Sequence, residues 1–214
     1  MSTPIAASLA LLSLLGTAGA QAAPTYLNGT NITVSVGPGT SPGSFNNTFA
    51  NGATIAKVID APSAAAEEFH TQATHIWFTA DQAGGGLELL FDFGTAYDIG
   101  TLHFWNYTSE DYDVDHIAFS FFNQANALVG TLEVTPALGS SPGIRAQDIL
   151  LAAPLNVRYV TAFVSGSNRQ VDFQNIGFTA DVSAPIPEPG TVGLMAAGLL
   201  GLLSHRRWRR GAHR

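Results

Sequence analysis

The segment Leu87-Glu88-Leu89-Leu90-Phe91-Asp92-Phe93-Gly94 leads, after a short interval, into Ile99 to Tyr107, which reads IGTLHFWNY. In the first segment apolar side chains occupy every second position, which predicts a strand with one buried face. In the second segment large side chains lie on both faces, as is typical of a strand covered on both sides. We therefore expect the second strand to lie in the interior of a β domain.

The same two-residue period recurs along the chain. The further predicted strands are Asn31 to Val36, the segment with Ile117, Phe119 and Phe121 on one face, Tyr159 to Val164, and the segment in which Ile176, Phe178, Ala180 and Val182 share a face. Gly, Pro, Asn and Ser turns separate these segments, and the only helical candidate is a short piece from Ala64 to His70. Many short strands with such turns predict an all-β fold, a single β-sandwich or jelly roll.

The order of several short motifs is informative as well. They are Lys57-Val58-Ile59-Asp60, Trp77, Leu87 to Gly94, Tyr97-Asp98-Ile99, Leu102 to Tyr107, Val114 to Ser120, Arg158-Tyr159-Val160 and Asn175 to Phe178. This succession resembles the discoidin, or coagulation-factor type C, group of galactose-binding-like jelly rolls, over Ala50 to Val182. The resemblance implies a non-catalytic module that binds sugars or lipid headgroups through loops at one end of the sandwich.

The resemblance also implies a structural calcium ion, because many of these domains hold one near an early loop aspartate. Asp60 stands at the matching place. The glycine that follows it in the family is Ala61 here, and the acid often found in the final strand is Asn175. Asp60 is therefore either a calcium ligand or an aspartate that caps a turn.

The charge of the body, residues 24–182, restricts its partners. The whole chain has a formal net charge of −7, but the body alone carries four basic and fifteen acidic side chains. Such a surface repels phosphate backbones and attracts divalent cations, so we expect no nucleic-acid partner. The chain has no cysteine. Its stability must therefore come from packing, without disulfides.

The first 22 residues have the features of a secretory signal peptide. Ile5 to Leu15 is an apolar core of suitable length, and Ala18-Gly19-Ala20 supplies the small residues that signal peptidase requires. No Lys or Arg precedes the core. We predict that residues 1–22 are removed by signal peptidase during export.

The C-terminus combines three features. A proline-rich stem, 183–190, contains Pro187-Glu188-Pro189; an apolar segment, 191–203, follows; and the tail, 204–214, is rich in arginine. The apolar run predicts a transmembrane helix. This helix is short, because 13 residues cover about 20 Å of a hydrocarbon core that is about 30 Å thick. The arginines that hold the tail in the cytoplasm are Arg206, Arg207, Arg209 and Arg210.

This three-part order resembles the PEP-CTERM sorting signal of exopolysaccharide-producing Gram-negative bacteria. The resemblance covers Pro187 to Arg214 and implies recognition by a membrane-embedded exosortase. That enzyme would process the chain near Pro187-Glu188-Pro189 and release the body to the cell surface or matrix. The alternative is an ordinary tail anchor with an incidental proline-rich stem.

An acidic segment after the predicted central strand is a candidate metal site. Asp111, Asp113 and Asp115 alternate as in the opening of calcium loops. The segment departs from the EF-hand pattern, because His116 takes the place of the required glycine and Phe122 the place of the final glutamate. It is therefore either an improvised calcium site or a solvated acidic turn between two strands.

Two segments match the Gly-x-Ser-x-Gly pattern of hydrolase nucleophiles. They are Gly39 to Gly43 and Gly139 to Gly143. The oxyanion hole of that motif uses the backbone N–H after the serine, which Pro42 and Pro142 lack. Both segments are therefore interpreted as turns.

The histidines show no zinc spacing. His70 and His75 are five residues apart, which puts them on a shared face of neither a helix nor a strand. His103 and His116 stand alone in sequence. We interpret all four as structural or exposed histidines.

Aromatic residues supply candidate sugar-stacking surfaces. Tyr112, Trp105 and Tyr107 are the predicted ligand-binding residues, with Tyr112 in a loop and best placed for contact. Trp77 could contribute as well, but Trp77 and Trp105 are more typical of a core in this fold.

Three functions are consistent with the sequence. The leading hypothesis is an exported carbohydrate-binding module associated with extracellular polysaccharide. The second is a structural or adhesive biofilm matrix protein without a small ligand. The third is a hydrolase acting on glycan through a carboxylate pair such as Glu67 with Asp92, which requires the two groups to face one cleft.

Overall fold

The computed structural model describes residues 23–46, 55–70, 75–152 and 156–183, together with Leu199. The predicted signal peptide, the stem after Ser183, the apolar segment apart from Leu199, and the arginine-rich tail lie outside these residues. Among the residues described, no helix is long and apolar enough to cross a membrane.

The described residues form an all-β domain. The strands are β1 (Thr25–Leu27), β2 (Thr33–Val36), β3 (Pro42–Asn46), β4 (Glu67–Glu68), β5 (Ile76–Ala80), β6 (Leu87–Asn106), β7 (His116–Phe122), β8 (Leu128–Val134), β9 (Ile144–Arg145), β10 (Gln147–Leu150), β11 (Asn156–Ser165) and β12 (Gln170–Val182). A 3-10 helix spans Ile55–Ile59. The prediction of an all-β fold is confirmed.

Strand β6 belongs to two layers of the fold. Its first part pairs with β2 on one edge and β11 on the other, whereas its second part pairs with β12 and β10. Strands β7 and β8 extend the first layer beyond β11. Strands β5 and β1 pair with the other edge of β12, and β3 pairs with β5. One long curled sheet thereby closes into a sandwich. The predicted strands Leu87 to Phe93 and Ile99 to Tyr107 are parts of the single strand β6.

The bend in β6 lies at Gly94. Its φ of 71° is in the left-handed region, which glycine adopts without steric cost. The register with β11 jumps here, from Val157 opposite Tyr97 to the next residue pair at Asp92. Arg158 fastens the bend, because its Nε donates to Asp92 Oδ1 at 2.7 Å and its Nη1 donates to the carbonyl of Gly94.

The core lies between the two layers. The apolar face predicted for the first part of β6 is buried, and its rings meet β12 across the sandwich. The ring of Phe178 lies 5.3 Å from that of Phe91 and 5.0 Å from that of Phe93, in edge-to-face contact. A smaller cluster packs Trp105 against Ala61 and Ile144.

One local prediction was wrong. Ala64 to His70 is a turn followed by β4, whose Glu67 pairs with Arg145 of β9. Seven residues are too few for a helix that is stable on its own, so the tertiary pairing decides the conformation. Val182, predicted to share a face with Phe178, is the last residue of β12 and is 60% exposed, whereas Ala180 on that face is buried.

Candidate functional site

A group of aromatic and histidine side chains lies on the outer face of the β12 layer, where β5 and β12 begin. Trp77 of β5 is directly opposite Asp172 of β12 in the ladder. Their neighbours along each strand are core residues, so Trp77 and Asp172 both project from the outer face. His75 precedes Trp77 by two residues, and the two rings are stacked with centroids 6.3 Å apart.

The chain that follows β6 supplies the next side of this group. Tyr107 comes directly after β6, and its ring lies 5.7 Å from that of His75, nearly parallel to it. His70 packs its ring 4.8 Å from Tyr107 and 4.6 Å from His75. Tyr112, in the β6–β7 loop, is 43% exposed and contacts Tyr107 edge to face at 6.4 Å.

These side chains enclose an open cavity of about 190 Å³, which we call the aromatic pocket. Its lining residues are His70, His75, Trp77, Tyr107, Tyr112 and Asp172. Aromatic faces around a small number of polar groups are the usual composition of a small-ligand site.

Asp172 is the buried acid of the aromatic pocket. It is 3% exposed, and its Oδ1 atom has no hydrogen-bond partner among the described residues. Burial raises the pKa of this carboxyl to about 8, although a hydrogen bond with the backbone of Phe78 acts in the opposite direction. At neutral pH the group is therefore mainly a neutral carboxylic acid, which both donates and accepts hydrogen bonds.

Buried hydrogen bonds hold the β6–β7 loop in place over the pocket. The side chain of Asn106 donates to the carbonyl of Val114 at 3.0 Å and accepts from the backbone N–H of the same residue at 3.0 Å. Its Nδ2 also lies 3.2 Å from Asp113 Oδ2. The backbone N–H of Asp172 donates to the carbonyl of Tyr112 at 2.9 Å, which fixes this loop residue against β12.

The predicted ligand-binding residues differ in their position. Tyr107 and Tyr112 line the aromatic pocket. Trp105 does not, because it is completely buried and its Nε1 donates to the carbonyl of Ala66 at 3.0 Å. Trp105 is thus a core residue, and its proposed ligand contact is corrected. Trp77, for which a core position was favoured, is only half-buried and lines the pocket.

Three pocket residues escaped the sequence analysis: His70, His75 and Asp172. The two histidines were interpreted separately, yet the fold places the centroids of their rings 4.6 Å apart. One signal was available. His75-Ile76-Trp77-Phe78 alternates polar or amphipathic residues with apolar ones, which is typical of a half-buried strand.

The other two histidines are structural. Nδ1 of His103 lies 2.7 Å from Asp148 Oδ1, and its Nε2 lies 2.7 Å from Thr179 Oγ1. Nε2 of His116 lies 2.7 Å from Glu133 Oε2. Each ring is therefore held by neighbouring side chains.

The carboxylates predicted as calcium ligands are not grouped in the structure. Among the described residues, no set of three or more His, Cys, Asp or Glu side chains could hold a metal ion. Asp113 points inward to Asn106, whereas Asp115 accepts a hydrogen bond from the backbone of Ser167, and Asp111 is exposed. Calcium binding in this loop therefore stays a prediction.

Asp60 is exposed at the end of the 3-10 helix. Next to it, the backbone N–H of Ala61 donates to Asn175 Oδ1 at 2.9 Å, so this amide oxygen ties the loop to β12. Calcium binding by Asp60 also stays a prediction.

The carboxylate pair considered for a hydrolase is separated by the fold. Glu67 lies on β4, 3.7 Å from an Nη atom of Arg145, whereas Asp92 lies on β6 and binds Arg158. The hydrogen bonds from Arg158 hold the pKa of Asp92 below its ordinary value. An acid in that state is a poor proton donor, so no observation supports a catalytic role for this pair.

A larger concavity of about 330 Å³ lies on the outer face of the first layer, between β2, β6 and β11. Its one charged lining side chain, Asp92, is already bound to Arg158. The aromatic pocket is therefore the stronger candidate site, because it alone contains a buried acid with an unsatisfied oxygen.

Comparison with known proteins finds a similarity for each part of the chain. Residues 185–207 match the PEP-CTERM protein-sorting motif. CpGH89CBM32-5 from Clostridium perfringens, solved in complex with GalNAc-beta-1,3-galactose, is 10% identical with a TM-score of 0.50, over 72% of this chain and 99% of that chain.

Two further structures are similar. The F5/8 type C domain of a Bacteroides fragilis protein is 11% identical, with a TM-score of 0.49, over 75% of this chain and 98% of that chain. The family 32 CBM of NanJ from C. perfringens, solved with galactose, is 12% identical, with a TM-score of 0.44, over 73% of this chain and 98% of that chain. No curated protein sequence matches the chain. The chain thus carries a PEP-CTERM sorting motif, which indicates an exported precursor processed by an exosortase, after a β-sandwich domain that shares the fold of the carbohydrate-binding module CpGH89CBM32-5 from Clostridium perfringens.

Proposed function

We propose that this protein is an exported, non-catalytic carbohydrate-binding module that engages extracellular polysaccharide through the aromatic pocket. Signal peptidase removes residues 1–22, and an exosortase then releases the body to the cell surface or biofilm matrix of a Gram-negative bacterium. The sorting motif at 185–207 supports the route. A fold shared with a module that was solved with a bound disaccharide supports the ligand class.

The observation that carries the proposal is the composition of the aromatic pocket. A sugar ring has apolar C–H faces, which pack on aromatic side chains, and a rim of hydroxyl groups, which need hydrogen-bond partners. Trp77, Tyr107 and Tyr112 supply the aromatic surfaces. His70 and the carboxyl group of Asp172 supply partners for hydroxyl groups.

A binding experiment tests this proposal. The purified protein is applied to a glycan array, and its hits are measured by calorimetry with and without calcium. Tyr112→Ala removes an exposed ring from the pocket, so we expect it to weaken binding by about tenfold, the effect of one aromatic contact. Leu128→Ala, which removes a side chain that is 58% exposed on β8, is the matched control.

Two results of this experiment would count against the proposal. Binding that Tyr112→Ala leaves unchanged would place the sugar elsewhere on the domain. No binding to any glycan, with or without calcium, would contradict the carbohydrate-binding proposal itself. A glycan that needs calcium would in turn support a calcium site, and Asp60→Asn would test whether this carboxylate is a ligand.

The structural alternative has one observation in its favour. Strand β8 ends the strand order of the first layer, and within the described residues its outer edge has no partner. Leu128 and Val129 at the start of this strand are 58% and 36% exposed. An edge of this kind can pair with another copy of the chain. Concentration-dependent self-association in sedimentation, abolished by Val129→Lys and accompanied by no response to sugars, would favour a matrix protein without a small ligand.

A further inference from the structure

The buried carboxyl group of Asp172 could form an ion pair with a ligand as well as a hydrogen bond. Its Oδ1 atom is buried without a hydrogen-bond partner, and the residue lines a pocket that is open to solvent. A neutral hydroxyl group could satisfy this oxygen. An ammonium group could satisfy it as well and would also compensate the charge of the ionised form, and hydrogen bonds between ionised groups are about twice as strong as those between neutral ones.

The rings around Asp172 favour a cation for a separate reason. The negative face of an aromatic ring attracts an ammonium group, and sites for organic cations are commonly built as cages of such rings. Trp77, Tyr107 and Tyr112 all line the aromatic pocket. The pocket therefore combines three aromatic rings with a buried acid.

The charges near the pocket have the same sign. Tyr112 lies in the acidic β6–β7 loop, between Glu110 and Asp115. None of the four basic side chains of the body lines the pocket. The nearest one along the chain from Asp172 is Arg169, which directs its guanidinium to the carbonyl of Asp81. An anionic sugar would meet repulsion here, whereas a cationic one would be attracted.

We propose that the aromatic pocket selects glycans that carry free amino groups, with the ammonium bound to the Asp172 carboxylate and the sugar ring packed on Tyr107 and Tyr112. This inference rests on the proposed function and names its ligand class, a 2-amino-2-deoxy sugar. When the ammonium binds, the carboxyl proton of Asp172 passes to solvent. His70 and His75 are the other titratable groups in the pocket besides the two tyrosines.

Three probes test the selection by calorimetry at pH 7 with the purified protein. They are a glucosamine tetramer, the same tetramer with every amine N-acetylated, and trilysine. We expect the glucosamine tetramer to bind about tenfold more tightly than its acetylated counterpart, because acetylation removes the charge. Asp172→Asn keeps the shape of the side chain but cannot ionise, so we expect it to bind both tetramers equally.

Asp148→Asn is the matched control, because it makes the same substitution at a carboxylate that is 63% exposed and lies outside the pocket. It should keep the tenfold difference. If Asp172→Asn proves poorly folded by circular dichroism, Tyr112→Ala provides the second test and should weaken binding of the glucosamine tetramer.

Each contrary result has a distinct meaning. Equal or tighter binding of the acetylated tetramer would overturn the amine selection and leave carbohydrate binding intact. If Asp172→Asn still prefers the glucosamine tetramer, the preference comes from the general surface charge, and the inference is overturned as well. Trilysine binding as tightly as the glucosamine tetramer would show a site for ammonium groups without recognition of the sugar. If neither tetramer binds, the amine selection fails, and the glycan array decides whether the proposed function fails as well.

Discussion

At the scale of single residues, Asp172 links the stability of the domain to the pH of its surroundings. Burial raises the pKa of its carboxyl to about 8, whereas the pKa of an aspartate in an unfolded chain is about 3.9. Between these two values the folded state holds a proton that the unfolded state has lost. The contribution of Asp172 to the free energy of unfolding is therefore fully present below about pH 4 and decreases as the pH rises through 8.

Asp172→Asn should remove this dependence. The stability of the variant relative to the native protein is expected to rise between about pH 4 and pH 8, by at most about 1.4 kcal/mol for each pH unit, and to stay level outside that range. Urea unfolding at several pH values measures the difference. Asp92 provides the contrast, because Arg158 lowers the pKa of that carboxyl, so its stabilising contribution is lost as the pH falls. Parallel profiles for native protein and Asp172→Asn would contradict the assignment.

Asn106 is a second residue on which the site depends. Its amide holds both backbone groups of Val114 and is 2% exposed. Asn106→Ala would leave several buried polar groups without partners, so we expect a loss of about 3 kcal/mol in the free energy of unfolding. Asn123→Ala is the control. Its side chain accepts from Ala125 and Ala127 in an exposed turn, where water replaces the lost bonds, and a loss of about 1 kcal/mol is expected. Similar losses in urea unfolding would contradict this account.

At the scale of secondary-structure elements, the bend in β6 decides how the sheet closes. The bend requires the left-handed backbone of Gly94, for which a β-carbon costs about 1–2 kcal/mol. Gly94→Ala should therefore lower the free energy of unfolding by about this amount. Space is not the cause, because an added Cβ would meet nothing within 4 Å. Gly100 in the same strand also has open space around an added Cβ but no positive φ, so Gly100→Ala should be neutral or slightly stabilising. Thermal melts of both variants measure the two effects. Equal effects of the two substitutions would show that the bend does not depend on glycine.

The elements also show what a sequence can predict. The strands with a clear alternation, such as Leu87 to Phe93 and Ile117 to Phe121, are present as expected because one face of each is buried. The continuity of β6 through Gly94 was not predicted, since it depends on Arg158, which is distant in sequence. Strand β8 was missed because its side chains are largely exposed, and a strand with little burial has little apolar periodicity.

The candidate site was less predictable than the fold. Tyr107 and Tyr112 were selected because aromatic residues near a loop can contact a sugar. Their partner Asp172 is distant in the chain, and it reaches them because β12 pairs with β6, which places Phe173 opposite Asn106, the residue before Tyr107. Spacing rules describe residues within one element, so a pocket built from four separate segments gives no local signal.

At the scale of the whole molecule, acidic and basic side chains are concentrated in different parts of the chain. The body carries fifteen acidic side chains, whereas five of the nine basic residues of the chain lie in its last nine positions. A cluster of arginines after an apolar segment stays in the cytoplasm, so the acidic body is expected on the opposite side of the membrane. The sorting motif that spans 185–207 includes both the prolines and the first arginines of this arrangement.

Processing of this precursor should change its mass in a predictable way. The motif indicates exosortase recognition, and we expect the extracellular form to end near Pro187-Glu188-Pro189, without the arginine-rich tail. Mass spectrometry of the protein collected from the medium and from the membrane of the producing bacterium measures both ends. Replacing the three residues with alanine should leave the full-length C-terminus in the membrane fraction, whereas Pro185→Ala, a proline outside the triplet, should be processed normally. An extracellular protein that still ends at Arg214 would instead indicate that the C-terminus is not cleaved, and the segment would then act as an ordinary anchor.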